Sequence, residues 1–265
     1  MKSWIPFLKD RPTVAVVRLS GLIADGPRGG LNDAGLAPVI EKAFRRGKPK
    51  AVALAISSPG GSPVQSALIA ARIRRLAQEK EVPVIAFVED VAASGGYWLA
   101  TSADEIYADS SSIVGSIGVI SAGFGAHVLL ARQGVERRVY TAGQSKSMLD
   151  PFRPENPEDV EKLQRLLEQI HGNFIAQVTE RRGPKLKQDK DLFTGEVWLG
   201  SRARELGLID GIGHMVPVLK ERFGDKVRFR SYGVKKSWLR RIGASVLGDA
   251  IMGIEERAAY ARFGL

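Results

Sequence analysis

Two hydrophobic periods alternate along the first 140 residues. Val14 to Leu19, Ala51 to Ile56 and Val82 to Val88 are nearly unbroken apolar runs bounded by turn formers, the pattern of strands covered on both faces. Between them, Leu36 to Arg46 places Val39, Ile40, Ala43 and Phe44 on one helical face, and Val64 to Gln78 reads as a second helix. Shorter strands are predicted at Glu105 to Ala108, Ile117 to Ile120 and Arg138 to Tyr140. A β-α-β-α-β order predicts an α/β fold with a mostly parallel sheet and right-handed crossovers.

Pro157 to Arg182 is the longest predicted helix. Val160, Leu163, Leu166, Leu167, Ile170, Phe174 and Val178 form one stripe along it, with Asn156 as cap and Pro157 in the first turn. Trp238, Leu239, Ile242, Val246, Ala250, Ile251, Ile254 and Ala258 also recur at helical spacing, among Lys235, Lys236, Arg240 and Arg241. This basic amphipathic pattern suits a membrane interface or packing on protein. The chain thus divides into an N-terminal segment, 1–12, a central domain, 13–234, and a C-terminal helix, 235–265.

No apolar run approaches the roughly 18–20 residues needed to cross a bilayer. Trp4 to Leu8 is too short for a signal-peptide core. The expectation is a bacterial-type protein, cytoplasmic or peripheral to a membrane, without a spanning segment or signal peptide.

Composition narrows the chemistry. The 265 residues carry a net charge of +10, which suits nucleic acid or an anionic membrane. The basic clusters at Arg45-Arg46, Arg72-Ile73-Arg74-Arg75 and Arg181-Arg182 are scattered, with no RNP or zinc-finger pattern, so nucleic acid is not expected as a partner. The absence of cysteine excludes disulfides, thiolate metal sites and cysteine nucleophiles. Three histidines without an HExxH motif make a metal site unexpected, and without a Walker A or GxGxxG motif no cofactor is expected.

Two glycine turns each follow a buried strand, where open α/β sheets place their ligands. Pro59-Gly60-Gly61 precedes one helix, and Ser94-Gly95-Gly96 opens another. Adjacent glycines can turn backbone N–H groups toward an oxyanion, and Ser94 at a helix start can attack a carbonyl. Glycines also simply make turns, and serine also simply caps helices. A serine nucleophile needs a base. His127, at the start of an apolar helix, is one choice. A lysine such as Lys146 is the other, where burial or a neighbouring charge lowers the usual lysine value of about 10.4.

Four segments in order carry a resemblance. Ser58-Pro59-Gly60-Gly61, Ala93-Ser94-Gly95-Gly96-Tyr97, Gly115-Ser116-Ile117-Gly118-Val119 and Gly143-Gln144-Ser145-Lys146-Ser147 resemble the signal peptide peptidase A (protease IV) family. The stretch from Phe193 to Asp210 is similar to the family's closing segment. The resemblance implies a Clp protease/crotonase-like fold with β-β-α-type units, plus the C-terminal helical extension. It implies Ser94 as nucleophile, Lys146 as general base, Ser116 as the hydroxyl that holds the lysine, and the Gly61 and Gly95 N–H groups as oxyanion hole. It further implies apolar peptide substrates, such as remnant signal peptides, and a homo-oligomer, such as an octamer, whose active sites are shared between protomers. The expectation is a single protease unit without the family's usual N-terminal anchor, with the C-terminal helix as the candidate for membrane contact.

Two other classes fit parts of the pattern. A crotonase-like acyl-CoA hydratase or isomerase would use the same glycine turns with carboxylates as acid and base, leaving Ser94 idle. A non-catalytic membrane-associated scaffold would keep the fold alone.

Overall fold

The computed structural model describes residues 11–26, 30–143, 145–189, 191–233 and 256–265. Strands β1 (Thr13–Ser20), β2 (Ala51–Ser58) and β3 (Val84–Ala93) form the centre of the sheet. The crossover helices α1 (Asp33–Arg45) and α2 (Pro63–Lys80) connect them. Asn32 caps α1 by accepting from the Gly35 N–H at 2.8 Å, and Ser62 caps α2 through the Gln65 N–H at 3.3 Å.

Short elements complete the frame. They are α3 (Gly95–Ala100), β4 (Glu105–Ala108), β5 (Ile113–Gly115), α4 (His127–Arg132), α5 (Pro157–Arg182), β6 (Val197–Leu199), α6 (Gly200–Glu205), β7 (Gly211–Ile212), α7 (Met215–Phe223) and β8 (Arg228–Tyr232). The sheet runs β6-β5-β3-β2-β1-β8, with β4 and β7 branching from β3. The strands pair in parallel, except that β5 and β6 are antiparallel.

The apolar runs conceal an alternation. In β2, Val52, Leu54 and Ile56 pack into the core beneath α1, α2 and α3, whereas Ala51, Ala53 and Ala55 face the cluster that contains Leu219 of α7. Large side chains fill the thick layer and alanines admit the helix on the thin one.

Three sequence expectations need correction. β3 continues past Val88 to Ala93, because it exchanges partners: Ile85–Val88 pair with β4 and Val91–Ala93 with β5. The polar Glu89-Asp90 between them hides this continuity. Ile117 to Ile120 is not a strand. Ser116 takes a positive φ of 52° and turns the chain off the sheet after Gly115. Arg138 to Tyr140 is exposed and unpaired with any described strand, and α4 is the one regular element described between residues 116 and 156.

α5 has the predicted bounds, but only its C-terminal half packs inward. Phe174, Val178 and Arg182 are buried, whereas Leu166 is exposed. Arg182, of the basic cluster Arg181-Arg182, is 2% exposed. It donates to the Gly207 carbonyl at 2.8 Å and to Asp210 at 2.6 Å, and Asp210 also accepts from Lys185 at 2.6 Å and from the Ile106 N–H at 2.8 Å. Burial pushes the Asp210 carboxyl up, but the hydrogen bonds from Arg182, Lys185 and Ile106 outweigh it and hold the group below the usual aspartate value. The Tyr97 hydroxyl donates to the neighbouring Leu208 carbonyl at 2.8 Å, which ties this segment to α3.

Other arginines of the clusters at 72–75 and 181–182 are also engaged, whereas Arg45 and Arg46 are exposed. Arg72 grips Asp33 through two contacts of 2.7 Å, Arg74 pairs with Asp104, and Arg181 donates to the Thr101 and Ala103 carbonyls. Among the described residues no helix is long and apolar enough to cross a membrane. The predicted C-terminal helix lies outside the described residues up to 255. Residues 256–261 are helical, and Tyr260 donates to the Ser57 carbonyl at 2.7 Å.

Candidate active site

β2 and β3 end side by side, so the turns that follow them meet. Buried Ser58 donates to the Gly21 carbonyl at 2.7 Å and accepts from the Gly60 N–H at 3.3 Å, which sets the first turn. Gly60 has φ of 104°, and a Cβ there would stand 2.8 Å from the Cβ of Ser94. Gly61 has φ of 136°, and a Cβ there would overlap the Ile23 carbonyl. Ile23 donates its N–H to Gly60 at 2.8 Å and accepts from the Ser62 N–H at 2.7 Å. This parallel bridge leaves the Gly61 N–H turned away from Ile23. The Gly61 nitrogen lies 3.4 Å from where a Cβ on Gly95 would sit.

Ser94 closes the second turn in a strained conformation, φ 52° and ψ −122°. Its N–H donates to the Gly115 carbonyl at 2.8 Å, which pins it to the end of β5. It holds the N-cap position of α3 without a capping hydrogen bond from its side chain, so the hydroxyl is not used up by the helix. Gly95 follows at the first helical position, where the N–H has no intrahelical partner. Packing explains both glycines: a Cβ on Gly95 would overlap Ser66 Oγ, and one on Gly96 would overlap the Ser58 carbonyl.

These residues open into a groove of about 250 Å³. That space suits individual side chains of an extended peptide and is small for a whole ligand, for which roughly 300–1,000 Å³ is usual. Gly60, Gly61, Ser94 and Gly95 line it together with Leu22, Pro63, Trp98, Ile170 and Phe174. The Trp98 and Phe174 rings stack with centroids 5.0 Å apart. Gly118, Val119 and Ile120 form another part of the lining, so the segment read as a strand borders the groove instead. Ala259 and Arg262 reach it from the C-terminal segment.

The structure brings Ser94, Gly61 and Gly95 together. Ser116 is adjacent, one residue beyond the carbonyl that holds Ser94, with its own N–H donated to the Glu196 carbonyl at 2.7 Å. Lys146 stands apart. It is exposed in the turn at residues 145–149, with its N–H 3.2 Å from the Gly143 carbonyl, and does not line the groove. His127 at the start of α4 does not line it either.

Sequence reasoning missed the groove's walls. Ile170 and Phe174 were legible as a helical stripe, but nothing in their spacing said that they face Ser94. It also missed His171, whose ring lies 3.0 Å from the Ile117 carbonyl and braces the segment after Ser116. Glu89 and Asp90 line a separate cleft with His214, and no carboxylate lines the Ser94 groove among the described residues.

Peptidase family S49 matches residues 76–223. A Brucella melitensis protein named Na(+)/H(+) antiporter NhaA is 50% identical over 95% of this chain, which spans 37% of that protein's length. The chloroplastic serine protease SPPA of Arabidopsis thaliana is 32% identical over 80% of this chain, with 32% of its own length covered. Among solved structures, a membrane-bound stomatin-specific protease matches 86% of this chain and 99% of its own, with a TM-score of 0.50 at 15% identity, a likeness of fold. The matched segment contains both Ser94 and Lys146 and covers more than half of the sequence; the chain belongs to peptidase family S49.

Proposed function

We propose that the chain is a serine endopeptidase that cleaves apolar, extended peptides, remnant signal peptides among them, with Ser94 as nucleophile and Lys146 as general base. The observation that carries this reading is the meeting of a strained, uncapped Ser94 with the Gly61 and Gly95 N–H groups at the end of an apolar groove. Ser94 Oγ attacks the scissile carbonyl and gives its proton to Lys146 Nζ. The two N–H groups hold the tetrahedral oxyanion. Its collapse forms the acyl-enzyme and expels the amine, which takes the proton from the Lys146 ammonium; water then releases the acyl group. Ser116 orients the lysine.

The exposed position of Lys146 supports a site completed by a second copy of the chain. Lys146 belongs to a segment, from about residue 119 to the first half of α5, that leaves large apolar side chains in solvent. Phe124 is 94% exposed and Tyr140 is 89% exposed, and Ile120, Leu129 and Leu166 are exposed too. Such a number of exposed large apolar side chains in one segment fits burial between protomers. The family to which the chain belongs, and the serine protease named among its relatives, support the reaction class. That a stretch 50% identical to this chain forms part of a Brucella polypeptide named as an antiporter supports work close to a membrane.

Mixing tests the shared site. Chains carrying Ser94→Ala and chains carrying Lys146→Ala, each inactive alone, are expected to recover part of the native peptidase activity after subunit exchange, since some sites then combine an intact Ser94 with an intact Lys146. No recovery after exchange has been demonstrated by mass or fluorescence would refute sharing.

The oxyanion hole has its own test. Gly61→Ala forces a Cβ into the Ile23 carbonyl at a φ of 136°. The expected cost is about 1–3 kcal/mol of stability from the strained backbone and about 10²–10³-fold in kcat from a displaced N–H donor. Thermal melting and peptide hydrolysis check the two effects, and full activity in this variant would remove Gly61 from the hole.

A further inference from the structure

The peptidase groove is lined mainly by glycines and apolar side chains, yet one exposed cation is among its lining residues. Arg262 lines it together with Ser94 and Trp98, and it is the one ionisable side chain among the described residues of that lining. The guanidinium comes from the C-terminal segment, far from Ser94 in sequence. That segment is anchored where it matters: Tyr260, half-buried two residues earlier, donates to the carbonyl of Ser57, at the end of the strand that leads into the oxyanion turn. Ala259 contributes to the same wall.

Resting on the peptidase reading, we propose that Arg262 is a specificity residue that selects peptides bearing a carboxylate within an otherwise apolar sequence. A guanidinium beside a groove without other charges pairs with a carboxylate through two charge-assisted hydrogen bonds, which a neutral amide of the same shape cannot match. A peptide lysine in the same place meets like charge. No acidic side chain lines the groove among the described residues, so a bound peptide brings the counter-charge itself. The carboxylate is supplied either by an acidic side chain or by the free C-terminus of a short peptide. The proposal thus separates the substrates of this chain from wholly apolar segments: apolar residues fill the space beside Trp98, and one acidic group fixes the register.

Binding to the Ser94→Ala chain tests this without turnover. Fluorescein-labelled apolar hexapeptides carry a single Glu, Gln or Lys scanned through each position, with the C-terminus as acid or as amide, and anisotropy gives Kd. The expected result is about tenfold tighter binding of a Glu peptide, or of a C-terminal acid, than of its neutral counterpart at one register, equivalent to about 1.4 kcal/mol. Which arm shows the preference identifies the source of the carboxylate. In the Ser94→Ala background, Arg262→Ala is expected to bring the charged and neutral peptides within about twofold of each other, and Arg262→Glu to favour the Lys peptide. Equal binding of charged and neutral peptides, or a preference that survives Arg262→Ala, overturns the proposal. Carboxylate-dependent binding without hydrolysis by the native chain would sustain it and overturn the peptidase reading instead, and failure to bind any peptide would overturn both.

Discussion

Ser94→Ala is expected to reduce peptide hydrolysis by about 10⁴-fold or more, with Lys146→Ala giving a loss of the same order and the double variant little further loss, because nucleophile and base act as one unit. The stability of Ser94→Ala should change little. The side chain makes no capping hydrogen bond, and alanine keeps the Cβ that already sits at the positive φ. The backbone contacts that hold the turn, from the Ser94 N–H to Gly115 and from the Trp98 N–H to the Ser94 carbonyl, do not involve the hydroxyl. Melting curves and rates on a fluorogenic apolar peptide read the two quantities side by side. Appreciable activity in Ser94→Ala would place the nucleophile elsewhere. Appreciable activity in Lys146→Ala alone would move the base, with His127 the next residue to replace.

The largest stability loss is expected from Asp210→Ala. This change leaves Arg182, 2% exposed, without its carboxylate, and removes the acceptor for Lys185 and for the Ile106 N–H. Breaking one side of a buried pair costs about 3–5 kcal/mol, a shift in Tm on the order of 10 °C for a domain of this size. The double variant Asp210→Leu with Arg182→Met should recover much of the loss, because the apolar pair leaves no charge behind. A single-variant loss below about 1 kcal/mol would show that the pair is solvated. The pH dependence has a definite sign. The folded-state value of Asp210 lies below its unfolded value of about 3.9, so its contribution is fully present above that pH and fades as pH falls through the folded value. Acid titration of native stability should therefore show a loss below about pH 4 that Asp210→Asn lacks. Because Tyr97 links this segment to α3, the helix that Ser94 opens, the Asp210→Ala variant should also lose activity before it unfolds.

Local signals made most of the frame legible. The three central strands, both crossover helices and the bounds of α5 follow from runs, caps and periodicity, because burial on two faces and a helix stripe leave direct marks in sequence. The two turns that line the Ser94 groove were legible as a pair for the same reason: each closes a buried run with two glycines. What escaped depends on contacts distant in the chain. The Ile117–Ile120 segment has strand-like composition, and only the positive φ at Ser116 and the packing of Gly118 against Gly195 take it from the sheet to the rim of the groove. Arg182 reads as a surface cation beside Arg181. Its partner is 28 positions away, and no periodicity encodes that distance. The Arg262 wall was hidden similarly, since a basic amphipathic C-terminal stretch reads as a membrane or assembly surface rather than as part of a site.

The most direct measurement of the central claim is active-site labelling of the native chain with a fluorophosphonate, followed by peptide mapping. The expected result is a single covalent adduct on Ser94, absent from Ser94→Ala and strongly reduced in Lys146→Ala, with hydrolysis lost in proportion to labelling. Labelling of another serine, or full peptidase activity after Ser94 is blocked, would contradict the account.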